Sequence, residues 1–390
     1  MTDFDDIRPY LDHEVPDALH RLLRDAEFLD FISRHLVPRM RKLAPGLARF
    51  LVSRFLISRT DGIRDVNSLQ RYEARYARSL VDRTTTSLTV SGLDELPSDR
   101  PCLYISNHRD IAGDSMILNY VLHQAGLDTV HIAVGDNLVQ RRFATDLMRL
   151  NKSFFIKRSE EGPRKIYAAM KQSSAYIKQS LCEGHSIWIA QSEGRAKDGL
   201  DTTDPAVIKM FGLAHNKRPW VELLPEVNLV PLAISYEYDP CDMMKARELY
   251  EIDTKGHYEK PPNEDLISLA TGLGGVKGRV HLAFGSPITG DLNPDEIAAE
   301  VDRQVVSGLK AYPINHWAFS ALATQYGGEY ADLLPAIEKS EMSSDLLLHG
   351  ESDIESSDRH DRCPEPHRPF WLAAYGNLLL NKGRQGLLGP

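Results

Sequence analysis

The stretch "CLYISNHRDIAGDSMILNYVLHQAG", residues 102–126, decides the fold. It begins with a short run of β-forming residues, continues through a polar loop, and ends in an apolar, helix-like run. In sheets built from such strand–loop–helix units, functional groups gather at the carboxyl ends of the strands. The loop "SNHRDIAGDS" at 106–115 therefore places a histidine, an arginine and two aspartates where chemistry is expected.

Similar β-rich runs recur through the middle of the chain, separated by helical patterns such as residues 163–181. The seven runs lie at 86–92, 102–106, 130–135, 153–157, 186–190, 229–238 and 279–285. Strands that alternate with helices predict an α/β fold with a mixed, largely parallel sheet flanked by helices.

The segments on either side of this region are predicted to be helical. Residues 1–84 form an N-terminal helical segment whose apolar spacing is interrupted at Pro38 and Pro45. Residues 85–290 form the α/β domain, and residues 291–390 form C-terminal helices, the first of which has Asn293 as its N-cap. Ser, Asp, Glu and Pro dominate around 340–369, which predicts an acidic loop.

Composition excludes several classes of protein. A net charge of -9 argues against nucleic-acid binding, which requires a basic surface. The four cysteines are scattered without a CxxC pair, which favours a reducing cytoplasm and no zinc site. The start of the chain lacks an apolar signal core, and no apolar run approaches the roughly 20 residues that span a bilayer. We expect a cytoplasmic protein that meets a membrane only at its surface, on the inner face of the cell membrane.

One segment is basic in an otherwise acidic chain. Residues 34–59 contain no Asp or Glu. Apolar residues interleave with the Lys and Arg residues of this segment, which are Arg34, Arg39, Arg41, Lys42, Arg49, Arg54 and Arg59. Such a helix either lies on an anionic membrane or covers the core with a solvated basic face, and amphipathicity alone does not separate the two.

Two catalytic interpretations of the 106–115 loop fail. A kinase loop needs an asparagine five positions after the HRD aspartate, where this chain has Ser115. The later "GLGGVKG" at 272–278 does not match a nucleotide-binding pattern and is interpreted as a flexible turn. A serine hydrolase needs GxSxG, but "GHSIW" at 184–188 ends in tryptophan and lies within a predicted strand.

A third interpretation, a histidine oriented by an aspartate, remains. An aspartate fixes the tautomer of the ring and stabilises its protonated form, so that the free nitrogen can deprotonate a hydroxyl. No covalent enzyme intermediate is needed if the acyl donor is an activated thioester. A histidine followed closely by an aspartate is also common in purely structural roles, so this pairing needs support from elsewhere in the chain.

Three further segments supply that support: "NKSFFIKRS" at 151–159, "IAQSEGRAKDG" at 189–199 and "LVPLAIS" at 229–235. In order and spacing, the four blocks resemble those of the glycerolipid acyltransferase superfamily, which has NHxxxxD, GxxFIxR, an FPEGTRS-like turn and a VP-containing strand. The resemblance covers about 85–290.

The resemblance implies roles for individual residues. His108 matches the catalytic base and Asp114 its carboxylate partner. Arg158 matches the arginine that holds the phosphate of the acceptor, and Glu193, Gly194 and Arg195 match the turn that completes the acceptor site. Because a phosphate attracts arginine and lysine, the basic residues near these blocks are further candidates for substrate binding: Lys197, Lys157 and Arg109.

The chain also departs from the family pattern. Asp114 is six positions after His108 rather than five, which leaves the nearer Asp110 as an alternative partner. Ser192 stands where proline is usual, and one residue is missing between Gly194 and Arg195. These differences indicate a divergent subgroup.

The resemblance implies an O-acyltransferase of phospholipid synthesis that uses acyl-CoA or acyl carrier protein as the donor. The expected acceptor is a glycerol phosphate, in first place 1-acyl-sn-glycerol-3-phosphate, and neither a metal nor a cofactor is expected. A lipid-binding protein without turnover and a thioesterase-like hydrolase on the same fold are the alternatives.

Overall fold

The computed structural model describes residues 4–97, 99–138, 141–216, 218–342 and 349–388. Each of the seven β-rich runs forms a strand. They are β1 Thr85–Ser91, β2 Leu103–Ser106, β3 His131–Gly135, β4 Ser153–Ile156, β5 Ile187–Ala190, β6 Leu229–Tyr236 and β7 Gly278–Phe284. The α/β fold predicted from the sequence is confirmed.

The strands form a single sheet in the order β1-β7-β6-β2-β5-β3-β4. Strand β7 runs antiparallel to β6, and the other neighbouring pairs are parallel. The sheet is therefore mixed and largely parallel, as expected. Strand β2 lies between β6 and β5, so the loop that follows it opens at the middle of the sheet edge.

Helices cover the sheet and extend the chain at both ends. In the N-terminal segment they are α1 Val15–Leu22, α2 Ala26–Leu36, α3 Pro38–Leu43, α4 Pro45–Thr60 and α5 Val66–Thr84. Between the strands they are α6 Gly113–Gln124, α7 Arg142–Leu150, α8 Pro163–Cys182, α9 Pro205–Gly212, α10 Trp220–Val227, α11 Asp242–Lys255 and α12 Glu264–Gly274. The C-terminal helices are α13 Pro294–Gly308, α14 Pro313–Tyr326, α15 Gly328–Met342, α16 His349–Arg362 and α17 Arg368–Arg384.

Alternate residues of β2 serve two separate cores. Leu103 and Ile105 are fully buried in a cluster with residues of α8, α9 and α13. Tyr104 points to the other face and packs in a cluster with Leu118 and Leu122 of α6. Burial on both faces explains why the strand is a continuous apolar run rather than an alternating one.

The N-terminal helices rest on the α/β part through α7. Phe28 of α2 contacts Phe143 of α7, with ring centroids 6.2 Å apart, inside an apolar cluster that also includes Val52 of α4. Pro38 and Pro45 begin new helices, because proline is tolerated in the first turn but not in the helix interior. Asn293 caps α13 as expected and accepts hydrogen bonds from two backbone amides.

Two segments expected to be loops are different in the structure. In the 340–369 stretch, residues 349–362 form α16, while 343–348 lie outside the described residues. The helix is held from one side: the Arg359 guanidinium lies 4.2 Å from the ring centroid of Tyr238, and Cys363 is buried in the C-terminal cluster. Packing of this side outweighs the polar composition of the rest of the segment.

The "GLGGVKG" stretch, which was interpreted as a flexible turn, also differs in the structure. Helix α12 continues to Gly274, and Lys277 is completely buried. The Lys277 Nζ donates to the carbonyl oxygens of Gly272 at 2.6 Å and Gly275 at 3.2 Å. A cation at the carboxyl end of a helix satisfies its free carbonyls, so this segment is fixed rather than flexible.

None of the helices in the described ranges combines the length and the apolar content needed to cross a membrane.

Candidate active site

The loop after β2 is anchored to β6 by Asn107. The Asn107 Nδ2 donates to the Ile234 carbonyl at 2.9 Å, and its Oδ1 accepts from the Ile234 amide at 2.8 Å. Neighbouring Ser106 accepts a hydrogen bond from the indole Nε1 of Trp188 at 2.8 Å. Because all three polar groups are buried and satisfied, the residue that follows, His108, starts from a fixed backbone position.

His108 is hydrogen-bonded to Asp114, with 2.7 Å between Nδ1 and Oδ2. The histidine is near the amino end of α6 and the aspartate lies in its first turn, as the sequence predicts. The edge of the imidazole also meets Trp188, with ring centroids 5.5 Å apart. With Nδ1 engaged, Nε2 is the ring nitrogen that can exchange a proton with a bound molecule.

Asp114 is completely buried and holds several donors at once. Its Oδ2 also accepts from the backbone amides of Arg109 at 2.7 Å and Asp110 at 3.0 Å, and its Oδ1 accepts from the Tyr236 hydroxyl at 2.7 Å. Burial by itself raises the pKa of this carboxyl. The hydrogen bonds and the His108 ring together lower it by more than burial raises it, so the net pKa lies below its usual range. Asp114 is therefore an anion at neutral pH.

Asp110, the alternative partner, has a different position. Its Oδ1 accepts from the backbone amides of Ala112 at 3.1 Å and Gly113 at 2.7 Å, at the start of α6. The carboxylate lies against Gly272, where an added Cβ would meet Oδ2 at 1.8 Å. Burial and the neighbouring Asp114 raise the pKa of Asp110. The carboxylate that touches His108 is thus Asp114, and Asp110 caps the helix.

His108 lines a cavity of about 330 Å³ at the carboxyl ends of β2 and β5. Most of its wall comes from the loop after β5, which includes Thr202, and the remaining lining residues are His108 and Leu249 of α11. Two predicted cations, Arg195 and Lys197, line the same cavity as His108. The structure therefore brings the histidine and these two basic side chains to one place, as the sequence predicts.

The two cations differ in their partners. The Arg195 Nη1 donates to the hydroxyl of Ser268, a neutral group, at 2.9 Å. The Lys197 Nζ lies 2.6 Å from the Glu248 carboxylate. Because a neutral partner does not compensate its charge, Arg195 is the better placed of the two to attract an anion.

Arg158 and Glu193 form the rim of the site. The backbone amide of Arg158 donates to Asp136 at 2.9 Å, which fixes the chain after β4. Its guanidinium lies 3.5 Å from the Glu193 carboxylate, which is 77% exposed. Gly194 follows with a φ of +78°, a left-handed conformation that favours glycine. An exposed partner at this distance holds Arg158 weakly and leaves it available to a ligand.

Two predicted substrate contacts lie elsewhere, and these are corrections. Lys157 is paired with Asp6 of the N-terminal segment, because alternation along the strand turns it away from Arg158. Arg109 is 12% exposed and pairs with the buried Asp201 at 2.5 Å, so its charge balances a carboxylate that lines the cavity. Both cations are thus paired with a carboxylate, and neither lines the cavity.

Sequence reasoning missed Lys245, which ties the loops of the site together. This α11 residue is 3% exposed, and its Nζ donates to the carbonyl oxygens of Arg109 at 2.8 Å and Ala196 at 3.3 Å. The third partner of the ammonium is the Asp239 carboxylate. The Ala196 amide in turn donates to the His108 carbonyl at 3.0 Å. No local pattern in "DMMKARELY" marks this lysine, because two of its three partners, Arg109 and Ala196, are distant in sequence.

Tyr236 was also missed, since it is one apolar residue among several in β6 and only the fold brings its hydroxyl to Asp114. In the described ranges, no three His, Cys, Asp or Glu side chains are grouped as metal ligands.

Part of the chain is similar to known proteins. Residues 87–235 match the model of the family described as Acyltransferase. A glycerol-3-phosphate acyltransferase of Pseudoalteromonas translucida is 29% identical over 195 residues, which are 48% of this chain and 21% of that protein. One from Shewanella amazonensis is 26% identical over 238 residues, 57% of this chain and 26% of that protein. The chain thus spans about a quarter of the length of these relatives.

Among solved structures, the chain is similar to the 1-acyl-sn-glycerophosphate acyltransferase PlsC from Thermotoga maritima. The identity is 13% and the TM-score is 0.37, with 71% of this chain and 92% of that chain covered.

Proposed function

We propose that this chain is a member of the glycerolipid acyltransferase superfamily and that it transfers a fatty acyl group from a thioester to a hydroxyl of a glycerol phosphate. The observation that carries the proposal is the buried, ionised Asp114 bound to a histidine that shares a cavity with Arg195 and Lys197. The donor is acyl-CoA or acyl carrier protein, and no metal or other cofactor takes part.

In the proposed reaction, His108 first accepts a proton and later donates it. Nε2 of His108 takes the proton of the acceptor hydroxyl, and the oxygen attacks the thioester carbonyl. As the carbon–sulfur bond breaks, the departing thiolate receives the proton from the imidazolium, giving an ester and a free thiol. The Asp114 carboxylate stabilises the imidazolium between the two transfers.

The phosphate of the acceptor is held by arginine in this proposal. A guanidinium binds a phosphate through two parallel hydrogen bonds, which lysine cannot do. Within the described part of the chain, Arg195 hydrogen-bonds only to a neutral hydroxyl, and Arg158 lies at the rim beside an exposed glutamate. Lys197 adds a positive charge to the same wall of the cavity.

Two acceptors agree with this chemistry, and an assay separates them. The similarity to glycerol-3-phosphate acyltransferases favours glycerol-3-phosphate. The blocks of the sequence led us to expect its 1-acyl derivative. Each is supplied with one acyl-CoA, and both thiol release and the acylated product are measured.

The mechanism is tested by His108→Ala. Loss of the base should lower kcat by about a hundredfold to ten-thousandfold, whereas the exposed His257 should tolerate the same change. Thiol release at the same rate with and without acceptor would mean a hydrolase. No thiol release with either acceptor, together with lipid binding, would mean a protein without turnover. Both results would overturn the proposal.

A further inference from the structure

Two buried oxygen atoms in the wall of the His108 cavity have no hydrogen-bond partner within the described part of the chain. They are Oε1 of Gln191 and Oδ1 of Asp201. Each residue is only 2% exposed, and both line the cavity together with His108. A buried polar atom without a partner costs free energy and is rare in folded proteins. Two such acceptors in one cavity therefore indicate a ligand that supplies the missing donor.

The backbone of Gln191 is fixed on both sides, so its side chain has a defined place in the cavity wall. The residue directly follows β5, and its amide donates to the Ser106 carbonyl at 2.8 Å. Its carbonyl accepts from the Asp204 amide at 2.9 Å. Ser106 is two residues before His108, so the glutamine lies beside the catalytic loop. The FPEGTRS-like pattern has phenylalanine at this position, so the side-chain amide is a polar group that this chain adds to the site.

Asp201 presents one oxygen to the protein and the other to the cavity. Its Oδ2 accepts from the Arg109 Nη2 at 2.5 Å, whereas Oδ1 accepts from none of the described residues. Burial raises the pKa of this carboxyl, although the Arg109 guanidinium opposes the shift. A hydrogen-bond donor at Oδ1 would offset the cost of burying the carboxylate.

The rest of the cavity suits a small polar molecule. Its apolar lining residues are Ala196, Leu200 and Leu249, and the other lining residues carry polar or charged side chains. A volume of about 330 Å³ is at the lower end of the range for small-molecule sites. Arg195 offers a cation for a phosphate in the same wall. The occupant of this wall therefore combines a phosphate with hydroxyl groups rather than with a hydrocarbon chain.

We propose that Gln191 and Asp201 form a hydroxyl subsite, which selects an acceptor that carries a second, free hydroxyl group. This inference rests on the proposed function, in which one hydroxyl of the acceptor gives its proton to His108. In glycerol-3-phosphate the neighbouring hydroxyl remains, and it donates its single proton to one of the two oxygens. In the 1-acyl derivative an ester takes the place of that hydroxyl and has no proton to donate. The subsite therefore favours glycerol-3-phosphate over its 1-acyl derivative.

Two analogues of the acceptor test the subsite. 3-Hydroxypropyl phosphate keeps the phosphate and a primary hydroxyl but lacks the second hydroxyl, and dihydroxyacetone phosphate has a carbonyl in its place. Each is assayed with one acyl-CoA. In the unchanged protein, kcat/KM should be about 10- to 150-fold lower for either analogue than for glycerol-3-phosphate, because each analogue leaves a buried acceptor without a donor.

Two variants identify the oxygen that receives the hydroxyl. Gln191→Met removes an acceptor at nearly constant volume, so the preference for glycerol-3-phosphate over 3-hydroxypropyl phosphate should largely disappear if Gln191 is the partner. In Asp201→Asn, the new oxygen can stay on Arg109 while the nitrogen, a donor, faces the cavity. If Asp201 is the partner, this variant should come to prefer dihydroxyacetone phosphate, whose carbonyl accepts a hydrogen bond.

Exposed residues provide matched controls for both variants. Gln179→Met on α8 and Asp253→Asn on α11 make the same chemical changes away from the cavity. Both should keep the acceptor preference of the unchanged protein. Circular dichroism melting confirms that every variant is folded, and the KM of acyl-CoA should be the same in all of them.

Two results would overturn the subsite. Equal kcat/KM for glycerol-3-phosphate and 3-hydroxypropyl phosphate in the unchanged protein would mean that the second hydroxyl is not recognised. An undiminished preference in both Gln191→Met and Asp201→Asn would mean that other groups recognise it.

Calorimetric titration of the full chain with the same two acceptors separates the subsite from the proposed enzyme. If no acceptor is acylated, but glycerol-3-phosphate binds about tenfold or more tightly than 3-hydroxypropyl phosphate, the transferase is refuted and the subsite stands. Equal binding together with normal acylation would refute the subsite and leave the transferase intact.

Discussion

Replacing Asp114 by asparagine removes one charge from the candidate site and almost no volume. The carboxylate accepts hydrogen bonds from His108, from two backbone amides and from the Tyr236 hydroxyl. An asparagine oxygen can keep the bonds to the ring and the backbone, while its nitrogen donates to the tyrosine oxygen. We therefore expect Asp114→Asn to fold and to be slow.

The size of the effect follows from the geometry. Nδ1 of His108 and Oδ2 of Asp114 are 2.7 Å apart, so the centres of the two charges are about 4 Å apart when the ring is protonated, and at that separation the attraction is about 4 kcal/mol in a partly buried site. A neutral acceptor retains roughly half of the strength of a charged one, which leaves a loss of about 2–3 kcal/mol. Because about 1.4 kcal/mol is tenfold in rate, kcat should fall about 30- to 150-fold.

The assay is thiol release from acyl-CoA with a saturating acceptor near neutral pH, with the KM values of both substrates measured in parallel. Asp110→Asn is the matched control, since it changes the same chemical group four residues earlier, where the oxygen caps α6 instead of touching His108. Because burial and Asp114 disfavour the charged form of Asp110, we expect this control to keep its thermal stability and to retain most of kcat.

Two outcomes would refute the reasoning. The first is an Asp114→Asn variant whose kcat equals that of the unchanged protein within error. The second is a fall in kcat for Asp110→Asn as large as that for Asp114→Asn, which would mean that His108 works with the nearer carboxylate.

Three other expectations follow from the structure. Arg195→Ala should raise the KM of the phosphate acceptor about 10- to 150-fold, the equivalent of a charged hydrogen bond, and leave the KM of the thioester unchanged in initial-rate assays. Lys245→Met leaves the partly buried Asp239 unpaired and should lose about 3–5 kcal/mol of unfolding free energy in urea titrations. Adding Asp239→Asn to this variant should restore stability but not kcat, because the carbonyls of the site loops still lack their hydrogen-bond donor. Burial lowers the pKa of His131 to about 3, so as the pH drops below 6.5 the unfolded chain binds a proton at this residue before the folded chain does, and stability falls. By about pH 4 the loss of unfolding free energy approaches 3 kcal/mol, and His131→Gln should lack this part of the loss.

Local sequence predicted the central strands well because β2 and β4 are short apolar runs bounded by polar residues. The runs at 102–106 and 153–157 each form a strand within one residue of the predicted bounds. The order of the strands was beyond local reasoning, since β7 pairs antiparallel with β6 and parallel with β1, a strand about 190 residues earlier in the chain. The helix at 349–362 was missed for a related reason: its composition is polar, and the contacts of Arg359 that hold it involve residues over 100 positions away.

The candidate site was likewise predicted only in part from the sequence. His108, Asp114 and Arg195 lie in short blocks whose spacing could be compared with a family, and the structure places the first two in contact and the third in the same cavity. The partner of Lys157 could not be predicted, because Asp6 lies about 150 residues earlier in the chain and only the fold brings the two together. Lys245 carries no signal in the local sequence, since a buried ammonium that joins two distant loops can be identified only after folding.

The way in which Asp114 is held has a consequence for finding related proteins. Two successive backbone amides, those of residues 109 and 110, point at a single carboxylate oxygen, so the turn absorbs an additional residue without moving the imidazole off its acceptor. A search that demands a fixed interval between histidine and aspartate would pass over this chain. A search for an aspartate at the start of the following helix, with a tyrosine on the neighbouring strand to cover its second oxygen, would retain it.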